Sequence, residues 1–224
     1  AQALLGGITV LFFLPMPVSV SHAGLAQIFL CLVVTVAVAT SRWWRDGAGP
    51  VGGGDSGGRV ATLATATTAL IYLQIVLGAV MRHSGAGLAI PDFPLVFGGL
   101  VPPRFDFSIG VHYAHRVVAL VVATAIFWTL GRVLRVARRE PELVRPAVLL
   151  AGLVLVQGTL GAAVVLTGKA VLPNTLHVGA GAVLLATSLV LTLRSRRLAW
   201  RGRRSGRSEP VAVAARPRLQ QVAP

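Results

Sequence analysis

Hydrophobic residues fall along this chain in blocks rather than at amphipathic spacing. Val20 to Ala39, Val60 to Met81, Ile109 to Leu130, Pro146 to Leu166 and Thr175 to Leu193 are nearly free of charge, and each has the ~20 residues that carry a helix across a bilayer. Residues 1 to 14 are equally apolar but too short to span, and Pro15-Met16-Pro17 separates them from the next block. The pattern predicts an all-α polytopic membrane protein. Residues 60–193 form a complete four-helix transmembrane bundle, and residues 1–40 are two helices of a second bundle, the first of them a stump. Between them, residues 41–59 open with the interfacial anchor Arg42-Trp43-Trp44-Arg45 and continue as a Gly-rich linker. After Leu193 the chain is rich in Arg, Gly, Ser and Pro, so 194–224 is expected to be a disordered, membrane-associated tail.

Charge adds the orientation. The net charge of +14 would suit nucleic acid, but the basic residues sit between and after the apolar blocks, where topology and anionic headgroups explain them. The 42–59 loop, the 132–145 loop and the tail hold 17 of the 21 Lys and Arg; Arg82, Arg104, Arg116 and Lys169 lie on the other side. The linker and C terminus therefore face the cytoplasm, the 82–108 loop faces out, and every histidine falls at the outer end of its helix. Cys31, alone inside an apolar block, forms no intrachain disulfide and reads as packing. No Gly-rich phosphate loop, Ser/His/Asp arrangement or buried chain of carboxylates is present to carry nucleotide hydrolysis or proton pumping.

The chain also repeats itself. Residues 155 positions apart match at Gln2 and Gln157, Leu5 and Leu160, Gly6 and Gly161, His22 and His177, and Gly24 and Gly179. Gln74-x-x-Leu77-Gly78-Ala79 is a weaker third copy. The repeat spans an even number of helices, so its copies share one orientation. By that offset the first helix should begin about nine residues before Ala1, within the usual uncertainty of such boundaries.

Histidines inside a span are costly and normally have a partner or a ligand. His115 and His177 sit near the outer ends of two helices of one four-helix unit, where facing imidazoles could hold a haem iron from both sides; the plainer reading is that each bonds across helices. The repeat of His177 at His22 and the many small residues, Gly78, Gly152, Gly158, Gly161, Gly179 and Gly181, favour haem. His112, three residues before His115, is the rival ligand, with a solvated or supporting role expected from its place near the boundary. His83, Arg82 and Arg116 would form a cationic rim able to meet haem propionates, or simply snorkel. Asp92, between prolines, reads as a turn residue, with proton transfer as the alternative.

Gln74-Ile75-Val76-Leu77-Gly78-Ala79, Arg82-His83-x-Gly85-Ala86-Gly87-Leu88-Ala89-x-Pro91-Asp92-Phe93-Pro94, His115-Arg116 and Thr175-Leu176-His177 together resemble the C-terminal half of heme A synthase, and residues 1–40 resemble the end of its N-terminal half. The resemblance implies an eight-helix oxidoreductase of the bacterial inner membrane that oxidises the C8 methyl of heme O to the formyl group of heme A. It implies His115 and His177 as axial ligands of a haem b cofactor and His22 as a ligand of the substrate haem. The catalytic glutamate is then expected upstream of Ala1, leaving this chain incomplete for catalysis. Heme O synthase, a terminal oxidase, lipid and a second copy of the chain are the partners implied. The outer loop lacks the cysteine pair of some members, leaving the electron acceptor open. A di-histidine haem b electron carrier linked to quinol is the alternative, and an assembly protein without haem a third.

Overall fold

The computed structural model describes residues 1–46 and 55–205. Among these the chain is helical: α1 (Gln2–Leu11), α2 (Met16–Ala39), α3 (Arg42–Asp46), α4 (Asp55–His83), α5 (Phe107–Val136), α6 (Pro141–Leu166) and α7 (Val171–Ser205), with a 3-10 turn at Ala86–Leu88 and a lone bridge between Val96 and Gly99. Helices α2, α4, α5, α6 and α7 are long and apolar enough to cross a membrane, and the protein is integral to one.

The helices overrun their apolar blocks because a helix bonds its own backbone and continues until a cap or a proline stops it. Asp106 starts α5 by accepting from the Ile109 amide at 2.9 Å. Pro141 starts α6 from a first turn that has no use for its missing N–H. The 194–205 stretch, expected as the beginning of a disordered tail, forms the last turns of α7. Leu198 is buried there, and Arg194 pairs with the Glu142 carboxylate at 2.8 Å. The expected 41–59 linker likewise opens with α3 and closes inside α4. Residues 47–54 and 206–224, where the remainder of linker and tail fall, lie outside the described residues.

Helices α4, α5, α6 and α7 pack in a closed ring, each against the next, with α7 returning to α4. Ile71, Ile126, Leu150, Leu185 and Leu191 fill its centre. A polar belt crosses that core: Thr67 bonds Thr129 at 2.9 Å, and Thr68 bonds Ser188 at 2.7 Å and Thr192 at 2.8 Å, tying α4 to α5 and α7. Each hydroxyl on α4 also returns to a backbone carbonyl one turn earlier, so none is stranded in apolar surroundings. Helix α2 lies against α4 and α7 with α1 folded onto it, and Tyr72 Oη donates to the Gly24 carbonyl across that seam. The alternation of helix direction gathers the α1–α2 turn, the 84–106 loop and the α6–α7 turn at one end, with all five histidines.

Candidate functional site

The histidines are held by one arrangement used three times. His115, His177 and His22 each enter from one helix of an antiparallel pair and lie on a glycine of the other. A methyl group on Gly78 would come within 3.1 Å of His115 Cε1, one on Gly161 within 3.2 Å of His177 Cε1, and one on Gly6 within 3.1 Å of His22 Cε1. Four residues before each glycine, on the same face, stands a glutamine whose Nε2 donates to the backbone carbonyl of that histidine: Gln74 to His115 at 2.9 Å, Gln157 to His177 at 3.0 Å, Gln2 to His22 at 3.1 Å. The Gln74 amide also lies 3.1 Å from His115 Nδ1, and that of Gln157 is 3.4 Å from His177 Nε2. Between α6 and α7 the fit is reciprocal, because Gly181, one turn beyond His177, leaves the space that the Gln157 amide occupies.

This uses the repeat that the sequence displays and gives its glutamines a task the sequence reading did not assign. The signal was present: Gln-x-x-x-Gly on one helix faces His-x-x-x-small on the next, with Gly181, Ala119 and Ala26 at the small position. Of the six glycines read as close-approach positions, Gly78, Gly161 and Gly181 meet a side chain. Gly152, Gly158 and Gly179 have no described atom within 4 Å of where a Cβ would stand.

His115 and His177 belong to the same four-helix ring and are half-buried. His112 differs from its expected solvated position. It is buried, 2% exposed, because the 84–106 loop folds back over the start of α5. Its Nδ1 lies 3.2 Å from the Ile90 amide nitrogen and its Nε2 3.2 Å from Arg116 Nε, so the ring is wedged between the loop and its latch. Arg116 is that latch: it donates to the carbonyls of Leu95, Ile90 and Asp92 at 2.9, 3.0 and 2.8 Å and lies over the Phe93 ring. Asp92 is the expected turn residue. Its carboxylate accepts from the Phe97 and Gly98 amides at 2.9 and 2.8 Å, which holds its pKa below the usual carboxylate value. The side chains of Arg82 and His83, the last two residues of α4, make no hydrogen bond to any described residue; Arg82 is exposed and His83 half-buried. Lys169, from the α6–α7 turn, lies over Gly87 of the 3-10 turn and brings a further basic side chain to this end of the bundle.

Among the described residues no three His, Cys, Asp or Glu side chains gather to hold a bare ion. Two imidazoles from different helices suit instead a metal that arrives with its own in-plane donors, as a haem iron does. The buried polar atoms fit this too: His177 Nδ1 and the Oε1 atoms of Gln74 and Gln157 have no partner within the described protein.

Residues 1–189 match the family described as cytochrome oxidase assembly protein, COX15-CtaA. The chain is similar to heme A synthase of Halalkalibacterium halodurans, 31% identical over 195 residues covering 83% of this chain and 61% of the relative. It is also similar to heme A synthase of Maricaulis maris, 29% identical over 201 residues, 83% of this chain and 52% of the relative. That of Caulobacter sp. is 30% identical over 147 residues, 60% and 42% of the two chains. The chain thus spans about half the length of the curated relatives it matches. A family match over residues 1–189, a range that includes all three histidine seats, makes this protein a member of the heme A synthase family.

Proposed function

We propose that the chain works in heme A biosynthesis, with a haem b cofactor held by His115 and His177 and heme O as the molecule whose C8 methyl becomes a formyl group. The observation that carries this reading is the pair of equivalent seats, Gln74–Gly78–His115 and Gln157–Gly161–His177, within one four-helix ring. A bound haem would supply a redox-active iron able to pass single electrons. The chain's own residues then do the rest. His115 and His177 present imidazole nitrogens, and Gly78 and Gly161 keep each ring close to the neighbouring helix. Arg116 and His112 hold the 84–106 loop over this end of the bundle, restricting water. Arg82 and His83, unlike Arg116, have donors to spare for propionates. His22, in the third seat, is assigned to the substrate haem.

The inner membrane of a bacterium is the site this reading implies, with the 84–106 loop outside and α7 ending on the cytoplasmic side, as the basic residues divide. Heme O synthase and a terminal oxidase are the partners it implies. With Cys31 replaced, a membrane-impermeant thiol reagent added from outside should label Leu100→Cys and spare Arg139→Cys. The opposite result inverts the orientation.

The test of function is pigment analysis. The chain purified from a host supplying heme O should carry a low-spin haem b that His115→Ala and His177→Ala each lose or convert to high-spin, while His112→Ala keeps it. A H. halodurans heme A synthase whose C-terminal part is replaced by residues 60–193 should still yield heme A. Its failure to do so, with haem b bound, would favour the electron-carrier reading.

A further inference from the structure

We propose that the 84–106 loop is moored in the lipid headgroup layer at the histidine end of the bundle, with Phe97, at the tip of its turn, as the anchor. The inference needs only that the protein is integral to a membrane, so it stands apart from the haem reading.

The outer side of this loop is apolar. Phe93, Leu95, Phe97 and Phe105 are exposed, as is Phe107 at the start of α5, while Ile90 and Val96 pack inward against Ile109. A connection that runs through water normally carries polar residues outward, and an exposed apolar surface marks contact with something apolar. From residue 90 to 107 the ionisable residues are Asp92, Arg104 and Asp106. Asp92 accepts from the Phe97 and Gly98 amides and Asp106 from that of Ile109, leaving exposed Arg104, a side chain suited to lipid phosphates.

The turn itself is strained in favour of an aromatic ring. Val96 and Gly99 exchange backbone bonds of 2.8 and 3.1 Å around Phe97 and Gly98, whose φ angles are 52° and 76°. Glycine and asparagine take such angles cheaply, and a bulky aromatic takes them at a cost. Packing does not repay that cost, because Phe97 is 42% exposed. Strain held at an exposed side chain points to a use outside the fold.

Two observations make lipid the occupant. Peptide groups that leave water must be bonded within the protein. Here Arg116 takes the carbonyls of Ile90, Asp92 and Leu95, Asp92 takes two amides, and Pro91, Pro94, Pro102 and Pro103 have no N–H to satisfy. The apolar side is also continuous with a membrane span. Phe107 shares a face of α5 with exposed Val121, about four turns along, and the Phe105 ring packs edge-on to Tyr113 of the same helix, with centroids 6.0 Å apart.

The experiment uses the whole chain with Cys31→Ser, reconstituted in phosphatidylcholine vesicles. A nitrobenzoxadiazole dye is attached at Leu95→Cys or, separately, at Phe105→Cys. Some of the lipid carries a nitroxide on its headgroup, which quenches a dye only at close range. Both dyes should be quenched by that lipid. Adding Phe97→Asn, which suits the turn, should abolish the quenching and leave the unfolding temperature in detergent at or above that of the parent. Absence of lipid quenching in the parent overturns the proposal: the loop stands in water if aqueous iodide then reaches the dye, and lies under a second copy or another protein if it does not. Quenching that persists in Phe97→Asn, or a lower unfolding temperature there, overturns Phe97 as the anchor.

Discussion

One methyl group distinguishes the glycines that seat histidines from those that do not. Gly78→Ala and Gly161→Ala should each push an imidazole off its seat, and the haem should turn high-spin or be lost from the purified protein. Gly152→Ala and Gly158→Ala meet open space and should leave the spectrum unchanged while gaining about 0.5–1 kcal/mol in thermal unfolding, as Gly to Ala does inside a helix. Spacing alone made these four positions look alike, because a sequence reveals which residues are small and periodic but not which neighbour faces them. The histidines and Asp92 were legible, since an ionisable group beside an apolar block has few cheap explanations. The glutamines showed as matched positions of the repeat but their task did not, because a polar amide in an apolar helix has many explanations. Asp92 makes a prediction about acid. Its carboxylate is favoured in the folded loop, so its contribution is complete at neutral pH and is lost only as pH falls through a pKa lower than that of a free carboxylate. Protection of the Phe97 and Gly98 amides, relative to free-chain exchange, should therefore fall only below the ordinary carboxylate range in the wild type, and be low at every pH in Asp92→Ala.

Among the helices and loops, the apolar blocks gave the spans, and caps and prolines moved the ends. Helix α5 begins where Asp106 can accept the Ile109 amide, and α7 continues past Leu193 with Arg194 and Arg197 bonded to carbonyls on α6 and α3. What the blocks could not reveal was the folding back of the 84–106 loop, since the contacts that hold it run from Arg116 to backbone carbonyls, which every residue possesses. Arg116→Met keeps the bulk and loses those bonds, each worth about 1.5–3 kcal/mol when the donor is charged. Hydrogen exchange across residues 90–98 should rise sharply in that variant while α5 itself remains protected. The polar belt should prove more forgiving. Thr67→Val should cost only about 0.6 kcal/mol, the average for a hydrogen bond between membrane helices, because Thr129 keeps its own bond to the Ala125 carbonyl.

Taken as one body, the molecule is joined at its arginine-rich end by α3 and α7. Arg194 lies 5.4 Å from the centre of the Trp43 ring and Arg197 4.8 Å from that of Trp44, and Arg197 also donates to the Trp44 carbonyl at 2.7 Å. Double-mutant cycles of Arg197→Ala with Trp44→Leu should find a coupling of about 0.5–1 kcal/mol, the range for partly exposed contacts of this kind, by thermal unfolding in detergent. Zero coupling would mean that the stacking adds nothing to the joint between α2 and the four-helix ring. At the opposite end, each histidine seat is made by helices that follow one another in sequence: α1 with α2, α4 with α5, α6 with α7. Contacts between consecutive helices form early and quickly, as soon as both segments have left the ribosome and entered the bilayer. Each hairpin can thus finish its own seat during synthesis, before the rest of the ring exists, and His115 is already oriented when the hairpin carrying His177 arrives to face it.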